Sequence, residues 1–232
     1  MACIITIDGP AGSGKTSVSR RLAERLGYAY LDTGAMYRAV ALAVKRAGID
    51  VRDEEGLKAL CADLDIRLVP RGNTSTVYVG QEDISTLIRS PEMDMLSSRV
   101  SVVPTVRKVM TPLQRRMADG HEGLVAEGRD MGTVVFPHAE AKFFLTASMP
   151  VRAERRYQER VQRGESISKQ GVAEQMKKRD DQDQNRAAAP LRAAPDAVII
   201  DSTAVDMEAV IRIIVDHLLE NHILHGFSKI NS

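Results

Sequence analysis

Near the amino terminus, Cys3-Ile4-Ile5-Thr6-Ile7 is a short β-branched run that breaks at Gly9, and Gly9-Pro10-Ala11-Gly12-Ser13-Gly14-Lys15-Thr16 follows it. Beyond the glycines, Val18, Leu22 and Leu26 recur at i, i+4 and i+8 until Gly27, the spacing of an amphipathic helix with a glycine past its end. Strand, glycine turn and helix in that order leave little freedom. The turn must sit at the carboxyl end of a buried strand, with the helix amino terminus facing it. The eight residues fit G-x-x-x-x-G-K-[ST], which a random chain of this length matches with a probability of about 1%. Phosphate chemistry explains the composition. Glycines let successive N–H groups point inward without a Cβ clash, and the helix end adds its positive pole. Lys15 then reaches the β- and γ-phosphates, and the Thr16 hydroxyl becomes a Mg²⁺ ligand carried in with the nucleotide. Gly9, Pro10, Ala11, Gly12, Ser13, Gly14, Lys15, Thr16 and the adjoining Ser17 are the candidate nucleotide-binding residues.

The same strand-then-helix alternation continues. Met36 to Ala47 reads as a helix closed by Gly48, and Pro104 opens another through Val106, Val109, Met110, Leu113 and Met117. Leu124-Val125-Ala126, Lys142 to Leu145 and Ala197 to Ile200 are short core-strand candidates, and a last helix starts at Asp206. Such repetition predicts an α/β fold, a parallel sheet flanked by helices. Between the halves, Asp65 to Val69 and Thr76 to Val79 alternate as strands around a Pro70-Arg71-Gly72-Asn73 turn, with a third strand near Glu82. This is a small antiparallel insert. Met93, Met95, Met110 and Met117 read as core filler, and His225 to Ser232 as a frayed tail.

Composition excludes several classes. The net charge of +1 gives no global attraction to nucleic acid or membrane. The longest apolar stretch, Ala39 to Val44, is too short to span a bilayer, and Met1 to Ile7 runs into Asp8 without a basic region or cleavage site, so no secretory signal is expected. Cys3 and Cys61 are lone thiols, suited to a reducing cytoplasm. One segment stands apart. From Arg152 through Arg179 nine basic residues meet four acidic ones, a local charge of +5, with Gly164 and Gly171 as interruptions. Solvated helices with i,i+4 ion pairs would account for it; so would an arginine-bearing flap that closes on an anion.

No Asn-Lys occurs, so a guanine-reading motif is absent. A small-molecule kinase suits a small chain with a basic flap, because two anionic substrates must be held together away from water. A nucleotide-driven switch that uses the basic segment on RNA is the reading from another class. Tyr157 is the one aromatic there, and single-strand binders usually stack bases on several.

Further segments narrow the choice. They are Leu31-Asp32-Thr33-Gly34-Ala35-Met36-Tyr37-Arg38, the run from Glu127 to Pro137 with its Gly128-Arg129-Asp130-Met131-Gly132 start, Lys178 to Arg186, and Asp201-Ser202-Thr203. Together with Asp8-Gly9-Pro10 they make the chain resemble the bacterial cytidylate kinases of the long form over nearly its whole length. The Glu127 to Pro137 run is the most specific element, more so than the phosphate loop.

The resemblance implies transfer of the γ-phosphoryl group of ATP to CMP or dCMP, with Mg²⁺, by a cytoplasmic monomer with no nucleic-acid or membrane partner. It implies a nucleoside monophosphate kinase fold: core at 1–61, 99–150 and 187–232, monophosphate-binding insert at 62–98, helical lid and substrate-binding helices at 151–186. Carried over by position, Ser98, Arg107 and Asp130 read cytosine; Arg38, Arg129 and Arg186 hold the CMP phosphate; Asp183 with Arg179 holds the sugar. Thr33 and Tyr37 line that site, and Arg152, Arg155 and Arg156 belong to the lid. Lys15, Arg129, Arg186, Arg152 and Arg156 are then the candidate catalytic residues. Some relatives carry Asp or Ser where this chain has Glu127 and Thr33, and Gln182-Asp183-Gln184-Asn185 is less basic than in relatives with arginine there.

The chemistry supports these residue types independently. Cytosine offers an N4 donor beside the N3 and O2 acceptors, so a carboxylate and a cation suit it. Uracil reverses the pattern at N3 and position 4, and a site built around hydrogen bonds can reject a mispaired analogue by about 10⁴-fold. Arg129 and Asp130 could otherwise be a surface ion pair, although the end of a strand is where open α/β sheets bind ligands. Tyr37 suits packing as well as ligand contact. Glu127 either orients Mg²⁺ through water or anchors its loop. Asp180, Asp181 and Asp183 suggest ion pairing with the surrounding bases rather than a metal cluster.

Overall fold

The computed structural model describes residues 2–71 and 74–224. The expected turn at Gly72-Asn73 and the expected frayed tail lie outside the described residues. A five-stranded, all-parallel sheet in the order β2-β6-β1-β7-β8 forms the centre. Its strands are β1 (Cys3–Asp8), β2 (Ala29–Asp32), β6 (Gly123–Gly128), β7 (Ala141–Thr146) and β8 (Val198–Asp201). β1 and β6 are buried almost throughout, which is why both read as continuous apolar runs rather than alternating ones.

The two faces carry separate cores. On one, α1 (Lys15–Leu26) and α8 (Met207–Glu220) pack Leu22, Ile211 and Ile214 against Ile5, Ile7 and Phe143. On the other, α2 (Thr33–Ala47) and α5 (Pro104–Arg116) pack Met36, Val40 and Met110 against Leu124 and Ala126. Helix ends follow the local signals. Gly27 and Gly48 both adopt φ 66° as C-caps, and Asp206 caps α8 by accepting from Ala209 N–H at 2.8 Å.

The antiparallel sheet is present in the order β3-β4-β5, with β3 (Ile66–Arg71), β4 (Thr74–Val79) and β5 (Glu82–Asp83). It has no core of its own. Ile66, Val77, Ile84 and Ile88 join the α2 face of the main core. Pro70 and Arg71, expected in the turn, extend β3, and Pro70 is tolerated because β3 is an edge strand. Among the strands and α-helices, β2, α3 (Glu54–Ala62) and α4 (Pro91–Ser101) had not been anticipated.

Two helices make the basic segment, α6 (Met149–Gln162) and α7 (Lys169–Asn185), with Gly164 between them at φ 78°. Gly171 is not an interruption. It lies in the first turn of α7, where its N–H donates to the capping Ser168 hydroxyl at 3.0 Å. Ala153, Val172 and Met176 give this pair a small core that also receives Ala11 of the glycine loop. Met95 is likewise not core filler. It is 61% exposed on α4, whereas Met93 and Met110 are buried.

Candidate active site

The glycine loop joins β1 to α1 and lines a cavity of about 650 Å³ at the carboxyl end of the sheet. Gly9 is dictated by packing. Its φ is +148°, and a Cβ there would lie 2.0 Å from the Leu145 carbonyl oxygen on β7. Lys15 curls back into the loop, donating from Nζ to the Pro10 carbonyl at 2.7 Å. Burial, then the nearby Arg129 cation, pull its ammonium down to about 7. A polyanion seated in the loop would supply the missing counter-charge.

Near Lys15, Glu127 is the last residue but one of β6. One carboxylate oxygen accepts from the Thr16 hydroxyl at 3.0 Å, the other from the Tyr30 hydroxyl, and the Glu127 carbonyl accepts from Thr33 Oγ1 at 2.7 Å. Burial and then Asp32 push its carboxyl above the ordinary range. Asp8 has a different task. Its two oxygens accept from the Met131 and Gly132 N–H groups at 2.9 and 2.8 Å. That pins a single π-helical turn, Met131–Val135, directly after Arg129 and Asp130. The Glu127 to Pro137 run thus serves as a fixed corner whose first residues face the cavity.

Among the arginines that line the cavity are Arg38 of α2, Arg129 after β6, Arg156 of α6 and Arg179 of α7. Arg129 Nε donates to Asp183 at 2.8 Å. Burial and then Arg129 hold the Arg179 guanidinium below its usual range, and its Nε, like that of Arg38, is a buried donor without a protein acceptor. Next to them lies a buried triad. Arg107 donates to Asp130 Oδ2, Arg186 lies 3.4 Å from Oδ1, and Asp130 is 3% exposed. The Arg107 guanidinium sits 5.8 Å over the Tyr37 ring, and Ser98 Oγ is buried without a partner. The structure therefore gathers Arg38, Arg129, Arg179 and Asp183 as one group and Tyr37, Ser98, Arg107, Asp130 and Arg186 as another.

The lid arginines divide. Arg156 reaches the cavity and pairs with Asp94 of α4. Arg155 donates to the Ser202 carbonyl at 2.7 Å and to its hydroxyl at 3.0 Å, tying α6 to the end of β8. Arg152, expected among the catalytic residues, is buried instead as a brace. It donates to the Ala147 and Ala11 carbonyls at 2.9 and 3.0 Å and to Asp180 at 2.6 Å. Several bases of this segment are held in ion pairs, Arg160 with Glu165 and Lys169 with Glu154, as solvated paired helices would have them. Among the described residues no cluster of His, Cys, Asp or Glu forms a metal centre.

Sequence reasoning missed Tyr30, Asp94 and the anchoring role of Asp8. Asp94 and Arg156 are separated by 62 residues and Tyr30 and Glu127 by 97, so no local pattern links them.

A glycine loop between the first strand and helix of a parallel sheet, with arginines converging opposite it and a helical pair packed over it, defines a P-loop phosphotransferase. The fold is shared with a gluconokinase crystal structure from Sinorhizobium meliloti 1021, which matches with a TM-score of 0.50 over 97% of this chain and 99% of that one, at 16% identity. Sequence comparison is narrower. The cytidylate kinase family model matches residues 5–220. A cytidylate kinase from Syntrophotalea carbinolica is 51% identical over 90% of this chain and 88% of its own length. One from Geobacter sulfurreducens is 47% identical over 90% and 89%. The chain belongs to the cytidylate kinase family.

Proposed function

We propose that the protein transfers the γ-phosphoryl group of ATP to CMP or dCMP, giving ADP and CDP or dCDP, as a step of pyrimidine nucleotide metabolism. The family match along residues 5–220 carries the reading. The geometry supports it: the glycine loop and the arginines Arg38, Arg129, Arg156 and Arg179 line one cavity.

In this reading residues 9–17 hold the triphosphate, Lys15 leaving the Pro10 carbonyl for the β- and γ-oxygens. The Thr16 hydroxyl, backed by the Glu127 carboxylate, offers the hard oxygen donors that suit Mg²⁺. Mg²⁺ arriving with ATP supplies charge neutralisation on the phosphate oxygens. Arg38, Arg129 and Arg186 hold the acceptor phosphate, Arg179 and Asp183 the sugar. Ser98, Arg107 and Asp130 read the base beside Thr33 and Tyr37. The orphaned donors on Ser98, Arg38 and Arg179 are the groups such a ligand would satisfy. Arg156 comes free of Asp94 to meet the transferring group, while Arg152 holds the loop and lid together. The protein's work is alignment and charge neutralisation in a space closed to water.

The insert at 62–98 and lid at 151–186 act as the moving parts, and the enzyme works as a monomer. No helix among the described residues is long and apolar enough to cross a membrane. The two cysteines are free thiols, which suit a reducing cytoplasm. The test is ADP release from Mg-ATP with CMP, dCMP, UMP, AMP, GMP or no acceptor. Turnover confined to CMP and dCMP is expected. Preference for another monophosphate would discard the cytosine assignments, and turnover indifferent to acceptor would discard the kinase reading.

A further inference from the structure

β2 and β6 run parallel in a register that pairs Tyr30 with Val125 and Asp32 with Glu127. Side chains alternate along a strand, so Tyr30 and Glu127 are diagonal neighbours on one face. Ile5, Ile7 and Val125 share that face, and α1 packs on it. Thr16 and Arg20, one helical turn apart, therefore sit over Glu127 and Tyr30. Both contacts are made: Thr16 Oγ1 donates to Glu127 Oε2 at 3.0 Å, and the Arg20 guanidinium lies 5.9 Å from the Tyr30 ring centre. The second Glu127 oxygen accepts from the Tyr30 hydroxyl, and the residue is 4% exposed.

We propose that Tyr30 is a positioning residue for the phosphoryl donor, acting through Glu127 to fix the direction of the Thr16 hydroxyl. This rests on the reading of residues 9–17 as the ATP site. A hydroxyl has one hydrogen and two lone pairs. With its hydrogen committed to Glu127, Thr16 turns only lone pairs toward the hollow of the loop, and a hard cation takes lone pairs. The commitment holds only while the Glu127 carboxylate does not rotate. A glutamate has one more rotatable bond than an aspartate and reaches further from β6, so its head needs a second tether. The Tyr30 hydroxyl is that tether. Its ring is part of the packed α1 face, under Arg20. A phenylalanine would fill the same space, so the hydroxyl is what the ring adds beyond packing.

The experiment compares wild type with Y30F by titration calorimetry of a non-hydrolysable ATP analogue, once with Mg²⁺ and once with EDTA, alongside KM for CMP. Removing an outer partner of a metal-ligating group commonly weakens the ion on the order of tenfold. Y30F should lose about that factor in analogue affinity with Mg²⁺, with affinity in EDTA and KM for CMP unchanged. E127Q should show the same Mg²⁺-restricted loss, because an amide cannot accept from both hydroxyls, and Y30F/E127Q should be no weaker than E127Q. Should Y30F fail to fold, E127Q carries the comparison. Native affinity with Mg²⁺, or equal losses with and without it, would overturn the proposal. A wild-type protein that binds the analogue under neither condition would instead overturn the ATP-site reading beneath it.

Discussion

Asparagine at position 130 changes one oxygen to an amide and leaves the shape alone, yet the structure makes it costly. The Asp130 carboxylate faces Arg107 on one oxygen and Arg186, at 3.4 Å, on the other, and all three residues are buried. Burial pushes the carboxyl above its ordinary range, and the two guanidinium groups oppose that rise. D130N leaves two buried cations facing a neutral amide. Breaking a buried pair from one side costs about 3–5 kcal/mol. In a chain of this size each kcal/mol lowers Tm by about 2–4 °C, so calorimetry should show a drop of roughly 6–20 °C. Adding R107M to D130N should recover part of it by removing one uncompensated cation. In steady-state assays kcat/KM for CMP should fall roughly 10- to 150-fold, the worth of one hydrogen bond to a charged group, with KM for ATP unchanged and the preference over UMP reduced. A native Tm in D130N, or a double variant less stable than the single one, would refute the counter-ion argument. An unchanged preference for CMP over UMP would refute the base-reading assignment.

Other expectations follow from single contacts. G9A forces a Cβ to 2.0 Å from the Leu145 carbonyl oxygen at φ +148° and should cost more than about 4 kcal/mol; soluble yield and Tm check it, and native values of both would contradict it. R38A removes a cavity arginine held only loosely, 3.4 Å from Asp32 and 3.8 Å from Asp94, so KM for CMP should rise on the order of tenfold while KM for ATP stays. Asp8 is pushed up to about 6 by burial, so the folded carboxyl holds its proton more tightly than the unfolded one, whose pKa is about 3.9. That group's contribution is fully present below about pH 4 and falls away by roughly 3 kcal/mol as pH rises to about 6. Denaturant titrations of wild type and D8N at pH 4 and 6.5 should therefore show their stability difference moving by about that amount against wild type; a constant difference would refute it.

Much of the fold was legible because its signals are local. The glycine loop, the Gly27 and Gly48 caps, Pro104 and Asp206 each act within one turn of their own position. β2 escaped because it has only four residues, and Asp32 at its end also caps α2 by accepting from Ala35 N–H. The start of α4 was marked by Ser90 and Pro91, a capping pair hidden in a polar stretch. Gly171 misled because a glycine in a capped first turn looks the same in sequence as one that ends a helix.

For the site, the resemblance supplied positions that composition alone could not, and the structure brings most of them to one end of the sheet. What no local pattern revealed is how charges are shared across the chain. Arg152 bonds Asp180 and two carbonyls rather than facing the cavity, Arg155 ties the lid to Ser202, and Asp94 occupies Arg156. Each of these choices depends on which helix packs beside which, and that is decided by the two cores.

The central claim is that one cavity seats a donor triphosphate on the glycine loop and an acceptor monophosphate on the opposing arginines, close enough for direct transfer. Adenosine and cytidine joined 5′ to 5′ through five phosphates tests this in a single inhibition study. Covalent linkage of two adjacent ligands adds their binding energies. The compound should inhibit competitively against both ATP and CMP and bind more tightly than either. Competition with ATP alone, at no better affinity than ATP itself, would contradict the account.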